Sequence, residues 1–388
     1  MTSPHPLVTK NERVLSTTVK AGHVHSFPSA MDATLRQALD AAVAEKWGRE
    51  TRITRIDPLA GDASSRSYVR LSLSGDGPAS AVVMILAGSG LALSSDELAV
   101  FDEPLKELPY LNVHAFLEPL DVHIPELYVD GYQDGFLLLE DIGDLPLRDA
   151  VQDLPQAEVE QWYQRAIDQL LLIQIEGTRQ KNERCIAFQQ RFDKRLFLWE
   201  FEHFVEWGLD KRGKQSLSPA ETHTLSGIFE DIATRLDRAT FFLNHRDYHS
   251  WNLFVQQERI RVIDFQDALL APATYDLATL LNDRDTPEVV SPELEEALVN
   301  YYHQAWHHTG GDPLSLAYVW DEYNLCLLQK ACKVVGRFYY LELEKGKSGY
   351  TRYIPPTLAT IRRVLGRLPP YRSLQDILVE YFPEYFSE

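Results

Sequence analysis

His245-Arg246-Asp247-Tyr248-His249-Ser250-Trp251-Asn252, followed by the apolar run Leu253-Phe254-Val255 and then by Val262-Ile263-Asp264-Phe265, is the stretch that decides how this chain folds. Its spacing is H-R-D-x-x-x-x-N, with a further carboxylate at the end of the next apolar strand. Phosphoryl transfer needs these groups. One carboxylate, Asp247, accepts the hydrogen bond of an attacking hydroxyl and orients it in line with the γ-phosphate of ATP. An amide oxygen from Asn252 and a carboxylate from Asp264 give Mg2+ the hard oxygen ligands it prefers. A lone Asp in a loop is more often a turn former than a catalyst. A strand-loop-strand hairpin brings all three positions together, and the composite carries the reading.

Outward from this segment the pattern changes character on either side. Upstream, strand-like runs at Ile53 to Leu59, Ser67 to Leu73, Ala81 to Leu86, Leu127 to Asp130 and Gly135 to Leu139 predict a small antiparallel sheet. A helical run from Met31 to Trp47, with Asp32 as its cap, precedes them, and another from Pro109 to Leu120 is inserted. Downstream, helical periods cover Glu158 to Ile175, Phe192 to Gly208, Pro219 to Arg238, Pro292 to His308, Leu314 to Glu344 and Pro356 to Leu368. The expected class is α+β: a two-lobed, protein-kinase-like fold with a small antiparallel β lobe, a larger mainly helical lobe, and ATP in the cleft between them. The expected divisions are a flexible tail over 1–30, a nucleotide-binding lobe over 31–139, a hinge over 140–145 and a helical lobe over 146–388 that holds the catalytic loop and substrate site. Met31 offers an alternative start.

The turn Gly61-Asp62-Ala63-Ser64-Ser65-Arg66 is suited to phosphate, because glycine lets backbone approach closely and Ser64, Ser65 and exposed amides can donate. An unliganded hairpin turn would look the same. A protein kinase would carry a lysine on its third strand, where Val82-Val83-Met84-Ile85-Leu86 has none. Alternation along the second strand puts Arg66, Tyr68 and Arg70 on one face, so Arg66 and Arg70 are the nearest replacements. Tyr275-Asp276 begins only eleven positions after Asp264, too few for an activation loop, so the acceptor is expected to be small. Asp276 is read as a helix cap or a brace for the loop.

The chain has 388 residues, 45% hydrophobic and 24% charged, with 38 basic against 57 acidic side chains and a net charge of −19. That balance repels polyanions and anionic membranes, so nucleic acid and membrane are excluded as partners. No secretory signal or membrane-length apolar run is visible, and a cytoplasmic location is expected. Cys185, Cys326 and Cys332 are expected as buried free thiols, since their number is odd and their spacing fits neither disulfides nor zinc. No obligate protein partner is evident.

The chain resembles the aminoglycoside phosphotransferase superfamily, and most closely its bacterial anomeric kinases for N-acetylmuramate and N-acetylglucosamine in cell-wall recycling. The resemblance rests on Gly61 to Arg70, on the hinge Leu138-Leu139-Glu140-Asp141-Ile142-Gly143-Asp144, and on Asp264-Phe265-Gln266-Asp267-Ala268 and Tyr275-Asp276-Leu277-Ala278. Glu200 with Phe204-Val205-Glu206-Trp207, Val335-Gly336-Arg337-Phe338 and Lys347-Ser348-Gly349-Tyr350 extend it into the substrate half. It implies nucleotide contacts at Gly61, Ser64, Ser65, Arg66, Arg70, Glu140 and Ile142, and acceptor contacts at Glu200, Trp207, Asp267, Lys333 and Arg337. Lys330, Lys333 and Arg337 form a basic stripe at i, i+3 and i+7 that is either a solvated face or a site for an anionic substrate group. A kinase of an aminoglycoside or amino alcohol, and a catalytically silent nucleotide-binding fold, are the alternatives.

Overall fold

The computed structural model describes residues 33–59, 67–86, 107–212 and 216–386. Strands β1 (Arg52–Leu59), β2 (Ser67–Ser74), β3 (Ser80–Ile85), β4 (Leu127–Gly131) and β5 (Phe136–Glu140) form one antiparallel sheet in the order β1-β2-β3-β5-β4. The tight β2–β3 turn needs Gly75, whose φ of 108° is left-handed and where a Cβ would lie 2.8 Å from the Glu50 carbonyl. Val83, Phe136 and Leu138 pack with Leu39 and Val43 of helix α1 (Ala33–Trp47), whereas the alternate residues Met84, Leu137 and Leu139 face the main core. Burial on both faces explains why Phe136 to Leu139 reads as an unbroken apolar run. Helix α2 (Pro109–Leu117) lies between β3 and β4 in the chain, as its apolar spacing predicts. The Asp32 cap and the 1–30 segment lie outside the described residues.

Past β5 the chain is mainly helical: α3 (Leu147–Ala150), α4 (Gln156–Leu171), α5 (Gly177–Arg179), α6 (Lys194–His203), α7 (Pro219–Asp237), α8 (Tyr275–Asn282), α9 (Pro292–His308), α10 (Leu316–Leu343), α11 (Ile354–Arg367), α12 (Arg372–Tyr381) and α13 (Pro383–Phe386). Side-chain caps fix several starts: Asp193, Ser291 and Ser315 accept from amides of the first turn, and Ser218 with Glu221 forms a reciprocal capping box on α7. Two runs expected as uniform helix change winding, becoming π-helical at Leu172–Glu176 after α4 and at Phe204–Asp210 after α6. Helices α12 and α13 extend the helical part beyond the last expected one.

Four short strands interrupt these helices. Strand β6 (Phe241–Asn244) pairs with β9 (Leu269–Pro272), and β7 (Leu253–Gln256) pairs with β8 (Arg259–Val262), both antiparallel. The β7–β8 turn uses Gln257 and Glu258 at φ 48° and 61°, the two left-handed residues that a two-residue hairpin with native twist requires. The β6–β9 pair is not anticipated by the sequence patterns. The three cysteines are free and buried, and burial pushes the Cys185 thiol up to about 11 and raises those of Cys326 and Cys332 well above the usual thiol value. No helix among the described residues is long and apolar enough to cross a membrane.

Candidate active site

Strand β6 ends at a fixed point from which the 245–252 loop departs. Buried Asn244 donates to the carbonyls of Phe242, Ala271 and Pro272 at 3.0–3.3 Å and accepts from Gln174 Nε2 at 2.9 Å. Arg246 then adopts φ 80°, a left-handed conformation that costs a residue with a Cβ about 1–3 kcal/mol. Two neighbours hold it there. The Asp276 carboxylate on α8 accepts from the amides of His245 and Arg246, and Lys330 Nζ on α10 donates to the Arg246 carbonyl at 3.3 Å. Asp276 is thus both the first-turn acid of α8 and a brace for the loop. Burial, opposed first by His245, pushes its carboxyl up to about 6.

Asp247 follows the strained residue, with a side chain 42% exposed and Oδ1 3.8 Å from Lys330 Nζ. Desolvation favours the neutral acid, but Lys330, Lys333, Arg246 and His249 outweigh it and hold the carboxyl well below the usual carboxylate range. An ionised Asp247 can accept the hydrogen bond of an incoming hydroxyl. Tyr248 anchors the loop from below by donating to the Ala166 carbonyl of α4 at 2.7 Å.

Asn252 Nδ2 donates to the Asp247 backbone carbonyl at 3.0 Å, an orientation that leaves the amide oxygen as the group available to a ligand. The Ile263 amide donates to the Asn252 carbonyl at 3.0 Å, and the Ile263 carbonyl lies 2.8 Å from His245 Nε2, so His245 joins the loop to the segment bearing Asp264. Strand β8 ends at Val262, and Asp264 stands two residues past it at φ 64°, its Oδ1 accepting from Gln266 Nε2 at 2.7 Å. The left-handed turn, not the strand, sets its place. One carboxylate and one amide oxygen make a hard donor pair that fits Mg2+, which keeps several waters and takes phosphate oxygens for the rest of its octahedron.

On the nucleotide side, Gly61, Ser64, Ser65 and Arg66 lie outside the described residues. Arg70 makes paired hydrogen bonds to two hinge acids, to Asp141 at 2.7 and 2.9 Å and to Asp144 at 2.6 and 2.8 Å. Its guanidinium is therefore committed to the hinge, and Asp144 followed by Asp141 strengthens its hold on the proton. Glu140 pairs with Arg261 of β8, while Gln256 Nε2 donates to the Asp141 carbonyl at 3.1 Å and the Val255 amide to the Leu145 carbonyl at 2.8 Å. Ile142 is buried within this junction. The segment 140–145, the expected hinge, is thus bonded to both the sheet and the β7–β8 hairpin.

Most of the residues expected to meet an acceptor lie on α6, on the π-helical turn after it and on α10. Glu200, only 1% exposed, is held by Lys333 Nζ at 3.2 Å and Gln329 Nε2 at 2.7 Å, so it supports Lys333 from beneath. Asp267 is likewise buried and is among the acids that keep Arg246 protonated against its desolvation. Trp207 packs edge-on to Tyr340 at 5.0 Å and carries Lys211 over its ring at 4.0 Å. Arg337 is exposed, 5.2 Å above the Tyr340 ring. His203 and Tyr340 stand in none of the sequence motifs. His203 stacks on Trp199 at 5.5 Å, and the only available signal was its i+4 spacing from that tryptophan.

A model of the phosphotransferase enzyme family matches residues 55–314. The chain is 27% identical over 348 residues to an N-acetylmuramate/N-acetylglucosamine kinase of Pseudomonas aeruginosa, covering 87% of this chain and 91% of that one. A protein of the same name from Neisseria meningitidis is 27% identical, with 83% and 89% covered. The crystal structure of an ADP-bound aminoglycoside phosphotransferase superposes with a TM-score of 0.53 at 14% identity, covering 85% of this chain and 97% of that chain, which is a likeness of fold. With a family match across most of the sheet and the whole catalytic segment, the chain belongs to the phosphotransferase enzyme family and is an ATP-dependent kinase.

Proposed function

We propose that this kinase moves the γ-phosphate of Mg-ATP to the anomeric hydroxyl of an N-acetylated amino sugar, N-acetylmuramate or N-acetylglucosamine, in cytoplasmic recycling of cell-wall material. The observation that carries this reading is the extent of the likeness: relatives named for these two sugars align over more than four fifths of the chain, acceptor half included. Asp247, ionised and open to the cleft, accepts the hydrogen bond of the sugar hydroxyl and aims its oxygen at the γ-phosphorus. The new bond joins that oxygen to phosphorus, the bond to the β-phosphate oxygen breaks, and the proton leaves by way of Asp247. An anomeric hydroxyl is more acidic than an ordinary alcohol, so a weak base suffices once orientation is supplied. Asn252 and Asp264 would hold Mg2+, which supplies positive charge against the phosphates. Gly61, Ser64, Ser65 and Arg66 are proposed to cradle the phosphates, with Glu140 and Ile142 bordering the base.

Asp247 has Lys330 beside it and Glu200 is paired with Lys333, so these carboxylates are already matched and poorly placed to hold the ammonium groups of a polycationic aminoglycoside or an amino alcohol, which disfavours both as acceptors. The test is the phosphorus NMR spectrum of the product made from each amino sugar. Coupling of the phosphorus to the anomeric proton is expected. Phosphate on another carbon, turnover with an aminoglycoside or amino alcohol alone, or no ATP consumption with any acceptor would each overturn the proposal.

A further inference from the structure

The two sugars in the relatives' name differ by one group: N-acetylmuramate carries a lactyl ether, and hence a carboxylate, where N-acetylglucosamine has a hydroxyl. Preference between them calls for a cation near the acceptor whose charge is not already matched. The three cations of the stripe differ in this respect. Lys330 is 8% exposed and bound to the Arg246 carbonyl, with Asp247 3.8 Å away. Lys333 is 22% exposed and paired with Glu200. Arg337 is exposed, and among the described residues no carboxylate stands within ion-pairing distance of it.

Its location is set by close helix packing. At Gly336 a Cβ would lie 2.7 Å from the Phe204 Cα and 2.9 Å from the His203 carbonyl, so α10 rests directly on the junction where α6 becomes π-helical. Arg337 is thereby held beside the Trp199–His203 stack and above Tyr340, two helical turns, about 10 Å, along α10 from the lysine at Asp247. Burial first, then Arg337, lowers the His203 pKa, in keeping with that proximity. An aromatic wall topped by a guanidinium that no described carboxylate matches suits a sugar ring with a carboxylate on the side away from the reacting hydroxyl.

We infer that Arg337 is a specificity-determining residue: it binds the lactyl carboxylate and makes N-acetylmuramate the preferred acceptor over N-acetylglucosamine. This rests on the amino-sugar reading above. The test compares kcat/KM for both sugars in the parent enzyme, Arg337→Met and Arg337→Lys. The parent is expected to favour N-acetylmuramate. Losing a charge-assisted hydrogen bond should cut that preference roughly 10- to 100-fold in Arg337→Met, chiefly through KM, with partial recovery in Arg337→Lys. An unchanged ratio of the two kcat/KM values overturns this inference alone. Turnover of neither sugar by the parent overturns the amino-sugar reading as well, so the two failures are distinct.

Discussion

Asp247 follows a strained neighbour, and its charge is set by Lys330 and Lys333, far away in the chain, together with Arg246 and His249 beside it. Asp247→Asn keeps the shape and removes the charge. The metal-side contact survives, because Asn252 bonds to the backbone carbonyl of residue 247 and not to its carboxylate. We expect kcat to fall roughly a hundred- to ten-thousand-fold while the Kd for Mg-ATP holds within a few-fold, read by steady-state kinetics and calorimetric titration. Turnover at the parent rate would remove Asp247 from the chemistry. The spacing of Asp247, Asn252 and Asp264 within about 20 residues marks them out in the sequence as one candidate set. The partners that tune them are not so marked: Lys330 meets Asp247 across 83 positions, a contact that only the tertiary fold creates.

Among the elements, the packing of α6 against α10 makes the sharpest demand on a single position. A methyl on Gly336 would meet backbone atoms of His203 and Phe204, which cannot swing aside as a side chain tip can. Gly336→Ala should therefore cost about 1–3 kcal/mol of stability. Gly366 on α11 faces open space, and Gly366→Ala should be neutral or stabilise by about 0.4–1 kcal/mol. Melting temperatures of the two variants moving in the same direction would contradict the packing described. All five strands of the sheet, and the major helices as far as α11, could be read from period and punctuation. The π-helical turns could not, because Phe204 and Trp207 keep an apolar spacing that ordinary helix would also give. Strand β9 is four residues long and ends in Pro272, so it offers too little alternation to register. The stripe Leu374, Ile377, Leu378 and Tyr381 of α12 was present and simply falls outside the runs singled out.

Across the whole molecule, the sheet and the helical part are tied at the hinge by Arg70, which spans 71 and 74 positions to reach Asp141 and Asp144. Burial alone would raise the Asp141 pKa, but Arg70, with hydrogen bonds from Ser80 and the Gly143 amide, outweighs it, so the carboxyl is depressed in the folded state. A depressed acid contributes stability that is present above its unfolded value, about 3.9, and is lost as the pH falls through the folded value. Arg70→Met should accordingly lower stability at pH 7 by about 1–2 kcal/mol, a figure reduced for the exposure of Asp144. The melting-temperature gap from the parent should narrow as the pH falls below about 4. A gap that stays constant with pH would mean that the arginine acts through packing instead of charge. The buried thiols have a separate practical consequence. Cys185, Cys326 and Cys332 are shielded and held as poor nucleophiles, so maleimide reagents will pass them by in the native enzyme. A donor and an acceptor dye placed on introduced surface cysteines, one in each lobe, can then report by energy transfer whether nucleotide changes the distance between them, with every native cysteine left in place.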